Sequence, residues 1–247
     1  MKKLTTTLVS LALILTLGTA FAHQHEDVIG TLYTRDTSGS INMTCTASLV
    51  DPLDFSLEYA AAHDVLLLTA AHCVDRGLRE NDDETWSTTR DYVVSFDERS
   101  YYTVELLRLG RADRGYDIAL MYFTEFAPEA QGLRLGDWST VRPGTSILNW
   151  ANPLGLGIQA FQGYVTMLSL DRPIEGTNIF WRGNAVAIVP SAGGSSGSLV
   201  LNEDHEVIGV HIGAVVPRSG SSFAVFVPLP KFERFISDDS IARDITY

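Results

Sequence analysis

Pro190-Ser191-Ala192-Gly193-Gly194-Ser195-Ser196-Gly197-Ser198-Leu199 sets a serine among glycines at the end of an apolar run. A serine hydroxyl is a poor nucleophile. To attack a carbonyl it needs a base beside it and a tight turn whose backbone N–H groups point at the oxygen that becomes negative. Glycines permit such a turn, because they reach backbone conformations and close approaches that a Cβ blocks. Taken alone, a Gly/Ser-rich run is most often a solvent loop. Two upstream segments, Thr69-Ala70-Ala71-His72-Cys73 and Tyr116-Asp117-Ile118-Ala119-Leu120, change the odds. With them the chain carries, in the order His, Asp, Ser, the residue types that nucleophilic hydrolysis by serine needs.

The rest of the chain limits what such a site can serve. Lys2 and Lys3, the apolar run 8–17 and Ala20-Phe21-Ala22 have the form of an export signal cleaved after Ala22. The apolar run is shorter than the ~20 residues a spanning helix needs, and no membrane association is expected after cleavage. Cleavage would leave 225 of the 247 residues and take the formal net charge from −12 to −14. Binding phosphate backbones needs a basic face, so nucleic acid is not an expected partner. Cys45 and Cys73 are the only cysteines. In an exported chain an even count reads as one disulfide, and two free thiols would need a reducing compartment.

Short β-branched and aromatic runs alternate with Gly, Pro, Asn and Asp. They predict strands at 29–34, 44–50, 65–69, 92–96, 103–109 and 118–123, then at 146–150, 159–168, 185–188, 198–201, 207–212 and 222–228. A dozen short strands imply an all-β chain of sandwiches or barrels rather than β-α units. The segment 125–136, with Pro128 and Gly132, reads as a linker between the two sets, giving units 23–127 and 128–247 after the signal at 1–22. A terminal helix is expected near 229–236, where Leu229, Phe232, Phe235 and Ile236 share a face. Segments 52–63 and 79–90 read as surface excursions, the second as a solvated loop.

These three segments resemble the signatures of chymotrypsin-like serine proteases, and Cys45-Thr46-Ala47-Ser48-Leu49 resembles that family's strand whose cysteine bridges to the one after the catalytic histidine. The resemblance runs from about 29 to 236. It implies two six-stranded antiparallel β-barrels with a short C-terminal helix, a Cys45–Cys73 bond, and a site in the cleft between the barrels. It casts Ser196 as nucleophile, His72 as general base and Asp117 as its orienting acid, with the N–H groups of Gly194 and Ser196 as oxyanion hole. Ser195 and Ser198 are decoys in that pattern, since the nucleophile directly precedes Gly197. His63 and Asp113 lack the flanking motif and read as surface residues. Protein or peptide substrates and a monomeric, secreted or periplasmic enzyme follow, with no cofactor and no metal required.

Two further stretches resemble bacterial branches. Asn152-Pro153-Leu154-Gly155-Leu156-Gly157 is similar to a loop of HtrA-type proteases, and the run 197–202 followed by Val207-Ile208-Gly209-Val210-His211 is similar to secreted glutamyl endopeptidases. In the latter a histidine at the position of His211 and a hydroxyl at that of Ser191 receive the substrate carboxylate, so the resemblance implies cleavage after Glu and less readily after Asp. Pro190 stands where trypsin carries its pocket aspartate. Ser195 stands where trypsin-like zymogens carry the acid that pairs with a new N-terminus, so that switch is absent. The alternatives are an HtrA-like protease of relaxed specificity without a PDZ domain, and a protease-fold binding protein or toxin. His23-Gln24-His25 could chelate Cu²⁺ after cleavage, though an incidental polar terminus is the simpler expectation.

Overall fold

The computed structural model describes residues 27–75, 78–80, 86–88, 90–173, 180–216 and 222–245. The segment 1–22, read above as an export signal, and His23-Gln24-His25 lie outside the described residues. The first half forms β1 (Ile29–Arg35), β2 (Ile41–Val50), β3 (Leu66–Thr69), β4 (Leu78–Glu80), β5 (Trp86–Thr88), β6 (Asp91–Ser95), β7 (Tyr102–Gly110) and β8 (Ala119–Phe123). The second half forms β9 (Ser146–Ala151), β10 (Gln159–Pro173), β11 (Phe180–Ile188), β12 (Leu199–Leu201), β13 (Val207–Val215), β14 (Phe223–Pro228) and the short β15 (Ala242–Asp244). All twelve predicted strands are present. β10 and β11 run longer than expected, because their ends pair with each other beyond the barrel.

Antiparallel neighbours run β6-β1-β2-β3-β8, and β7 pairs with both β6 and β8, which returns this sheet on itself as a ring of six. β15 adds to the edge of β7 beyond β6. The second ring closes in the order β10-β11-β14-β13-β12-β9. The fold is chymotrypsin-like.

Strand periodicity explains how the two rings meet. On β14, Ala224 and Phe226 point into the second barrel's own core, while Val225 and Val227 point the other way and join the core shared with the first half. On β12, Val200 faces inward, and Leu199 and Leu201 face the shared core. A strand buried on both sides needs no polar face, which is why these segments read as unbroken apolar runs rather than alternating ones. The helical terminus is a short turn (Leu229–Lys231) followed by a helix (Phe232–Ser237) that buries Phe232 and Phe235. Burying Phe235 alone contributes roughly 2–3 kcal/mol. The wholly buried Arg108 of β7 donates from Nε to the Phe235 carbonyl (2.6 Å) and from Nη2 to Asp239 (2.9 Å), tying this helix to the first barrel.

Two surface excursions gain order the sequence did not announce. Within 52–63 lies a helix (Leu57–Ala62), begun by Ser56, whose hydroxyl accepts the Tyr59 N–H at 3.0 Å as an N-cap. Within 79–90, read as a solvated loop, the backbone instead forms the β4–β5 ladder, with Leu78 opposite Thr88 and Glu80 opposite Trp86. Acidic composition there gave no sign of this pairing. The linker 125–136 is strapped to both rings: Leu133 N–H donates to Leu49 O (2.9 Å), and Val207 N–H donates to Arg134 O (2.8 Å).

Candidate active site

Three loops converge between the rings. His72 sits on a single 3-10 turn (Ala71–Cys73) where β3 ends, Asp117 lies between a second such turn (Ala112–Arg114) and β8, and Ser196 lies on the glycine turn between β11 and β12. His72 and Ser196 line one cavity of about 320 Å³ together with Met43, Gly193 and Gly194. A larger cavity, about 690 Å³, lies away from these residues against Phe55, Trp138 and Phe232. Size is therefore not what marks the site.

The Asp117 carboxylate takes His72 at two points. Oδ1 accepts the His72 backbone N–H at 2.8 Å, and Oδ2 lies 2.7 Å from Nδ1. A carboxylate only accepts, so Nδ1 carries the proton and Nε2 keeps its lone pair. Asp117 is almost wholly buried, while the His72 side chain is 26% exposed. The pair thus has a fixed end and an end open to a reacting molecule. The Cys45–Cys73 disulfide, with a Cα–Cα separation of 6.1 Å, joins the strand behind the site to the histidine turn. Cys45, His72 and Cys73 bring three donor atoms within 4.8 Å of one another, but the two sulfurs are bonded to each other and offer no thiolates to a cation.

The glycines of the Ser196 turn are required by geometry. Gly194 and Gly197 hold φ of +94° and +84°. A Cβ on Gly194 would come within 2.4 Å of the Asn152 carbonyl oxygen, and one on Gly197 within 2.1 Å of the Thr46 carbonyl oxygen. The Gly193 carbonyl is turned outward and accepts the Leu154 N–H at 2.7 Å. A trans peptide points its N–H away from its carbonyl, so this bond turns the Gly194 N–H to the other side. Among the described residues neither the Gly194 nor the Ser196 N–H has an acceptor. Two unpaired donors beside a serine can take a negative oxygen.

A second histidine lies deeper. His211 on β13 is buried, with Nε2 2.9 Å from Ser191 Oγ and 3.0 Å from the Gly213 carbonyl oxygen. The carbonyl requires a proton on Nε2, so Nδ1 is the acceptor; it faces Ser198 Oγ at 3.4 Å. Asn149 Nδ2 donates to that same hydroxyl at 2.8 Å. Burial pushes the His211 pKa down to about 4, with the nearby His72 adding in the same direction and the Gly213 carbonyl opposing it. The ring is neutral at neutral pH. Because Ser191 Oγ can accept from Nε2–H, its own hydroxyl proton is left to donate elsewhere.

The remaining candidates fall into place as structural groups. Ser195 is buried and its N–H donates to Ala192 O (3.0 Å), closing the turn. Ser198 belongs to the His211 chain. His63 lies tilted against Tyr122 with ring centroids 5.1 Å apart, and Asp113 pairs with Arg111 at 3.0 Å, so both are engaged elsewhere. Sequence reasoning missed Thr46, Asn149 and the Asn152 side chain. All three are buried; Asn149 and Asn152 are amides within or just beyond the apolar β9, which was the one signal available, since such a group needs partners.

A model of the trypsin-like peptidase domain matches residues 56–210, a span that contains His72, Asp117 and Ser196. No curated protein matches the chain by sequence. Among solved structures, the active form of the Rv3671c protease from M. tuberculosis superimposes with a TM-score of 0.63 at 13% identity, covering 92% of this chain and 86% of that one. An HtrA-type protease, AlgW, bound to a decapeptide gives a TM-score of 0.60 at 14% identity; the match covers 87% of this chain but only 66% of AlgW. At such identities these two establish the fold. The family model covers more than half of the chain, and the chain belongs to the trypsin-like peptidase domain family.

Proposed function

We propose that this chain is a secreted or periplasmic serine endopeptidase that cleaves after glutamate and, less readily, after aspartate. Ser196 attacks the peptide carbonyl, His72 takes its proton through Nε2 and returns it to the leaving amine, and Asp117 holds the ring and stabilises the imidazolium. The tetrahedral oxygen is received by the N–H groups of Gly194 and Ser196. The observation that carries this reading is the double grip of Asp117 on His72, at 2.7 and 2.8 Å, with Ser196 on the same cavity wall.

Acidic preference rests on Ser191 and His211. A substrate carboxylate accepts the Ser191 hydroxyl proton, while Ser191 Oγ accepts from His211 Nε2–H, 2.9 Å away. No fixed positive charge is needed, and bringing in a carboxylate raises the histidine's hold on a second proton. Export rests on the sequence of 1–22 and fits the disulfide, which persists in oxidising compartments.

A second reading, an HtrA-like protease of relaxed specificity, is favoured by the burial of His211 and by the Asn152–Gly157 loop. Cleavage of a proteome-derived peptide library separates the two. Cuts clustering after Glu support the first, and cuts after small apolar residues the second. A fluorophosphonate that labels the mature chain but not Ser196→Ala supports either enzyme; a folded chain that takes no label is a binding protein instead.

A further inference from the structure

Thr46 touches the Ser196 turn at both of its oxyanion residues. Its hydroxyl donates to the Gly194 carbonyl at 2.8 Å, and its backbone N–H donates to the Ser196 carbonyl at 2.9 Å. The hydroxyl also accepts the Asn152 N–H at 3.0 Å, and the Thr46 carbonyl accepts from Thr69 Oγ1 at 2.8 Å. Asn152 is itself anchored. Its Nδ2 donates to Thr31 Oγ1 at 2.7 Å, and its Oδ1 accepts the Gly157 N–H at 2.9 Å, which closes the loop 152–157. Within that loop Leu154 is held at φ +58°, a left-handed conformation disfavoured for leucine, and from there its N–H reaches the Gly193 carbonyl. Strain of this kind persists only where surrounding bonds over-determine it.

These bonds leave the oxyanion turn little freedom. The carbonyls of Gly193 and Gly194 flank the Gly194 N–H, and each is pinned from outside the turn, one by Leu154 and one by Thr46. Gly194 and Gly197 are flexible by nature, so the turn cannot hold this geometry from its own sequence. We infer that Thr46, relayed through Asn152, is a positioning residue that holds the Gly194 and Ser196 N–H groups in place for the transition state. Two threonines of the first ring, Thr31 on β1 and Thr46 on β2, thereby set the catalytic geometry of the second. This inference rests on the serine endopeptidase proposed above.

The test compares Thr46→Val, which keeps the shape and removes the hydroxyl, with Thr46→Ser, which keeps the hydroxyl. For Thr46→Val the kcat should fall about ten- to hundred-fold, less than the loss of an entire oxyanion donor, with KM changed by no more than about twofold. Affinity for a peptide boronate, whose tetrahedral oxygen occupies the hole, should fall in parallel with kcat/KM, while affinity for the cleaved product peptide stays. Thr46→Ser should restore most of both. If Thr46→Val folds poorly, Thr46→Ala removes the same hydroxyl without filling its space. An active wild type whose hydroxyl-free variants retain kcat and boronate affinity overturns the positioning role alone. Equal losses in boronate and product affinity reduce Thr46 to a structural residue and overturn it too. A wild type that cleaves no peptide and takes no phosphonate overturns the enzyme itself, and the inference with it.

Discussion

His72 and His211 are the same side chain in two opposite settings. His72 stands on the wall of the first ring, 26% exposed, with a carboxylate on its Nδ1. His211 is sealed inside the second, its ring nitrogens met by a backbone carbonyl and two hydroxyls and by no acid. An adjacent carboxylate makes the imidazolium tolerable, which a general base requires. Hydroxyls and a carbonyl in a dry setting do not, and the ring stays neutral. In the proposed reading the first histidine gains a proton in each cycle, and the second stays uncharged until a substrate carboxylate arrives.

The largest expected effects fall on the first. Replacing Ser196 or His72 with Ala should lower kcat on the order of 10⁴–10⁶-fold, read by peptide hydrolysis. Asp117→Asn should cost about 10⁴-fold, because an amide can donate to Nδ1 and so stabilise the wrong tautomer. Ordinary turnover in Asp117→Asn would separate the two histidines less sharply than their partners imply.

Much of that comparison was legible in the sequence, for a physical reason. The candidate groups sit on short turns, so Thr69–Cys73, the segment around Asp117 and the glycine turn each carry their pattern within a few consecutive residues. The strands β12 and β14 were legible because they bury both faces and stay apolar. What escaped was set by contacts distant in sequence. Thr46 reaches Gly194 across 148 residues, and Asn152 reaches Thr31 across 121. Nothing local distinguishes Thr46 from an ordinary strand threonine. The β4–β5 pairing escaped for the converse reason: a charged sequence reads as solvated whether or not its backbone pairs.

Stability offers the next test. The Cys45–Cys73 bond closes a separation of 28 residues, and replacing both cysteines with Ala should cost about 3–4 kcal/mol in the chain-entropy picture, measured by denaturant unfolding. His72 sits on the turn that this bond anchors, so the His72 side should loosen first. Retained labelling by fluorophosphonate at full rate in the double variant would show that Asp117 alone suffices to hold it.

The buried histidine has its own signature in acid. Its folded pKa, about 4, lies below the ordinary value of 6.5. The unfolded chain therefore binds more protons between those values, and stability rises with pH across that window. The contribution is complete above pH 6.5 and is lost as pH falls toward 4, by about 3 kcal/mol. His211→Gln should lose that slope, while exposed aspartates such as Asp97 and Asp238, held down near 2 by their hydrogen bonds, titrate below the window in both proteins. Parallel pH profiles for wild type and His211→Gln would mean the ring is not sealed as described.

The central claim is that one histidine drives hydrolysis while the other reads an acid. It is tested most directly by measuring kcat/KM for two peptides that differ only by Glu or Gln before the scissile bond, in wild type and His211→Ser. Wild type should favour Glu by about ten- to hundred-fold at neutral pH, as a matched polar site allows, and His211→Ser should bring that ratio close to one. A wild type that cuts both peptides equally, or a ratio unchanged in His211→Ser, would contradict it.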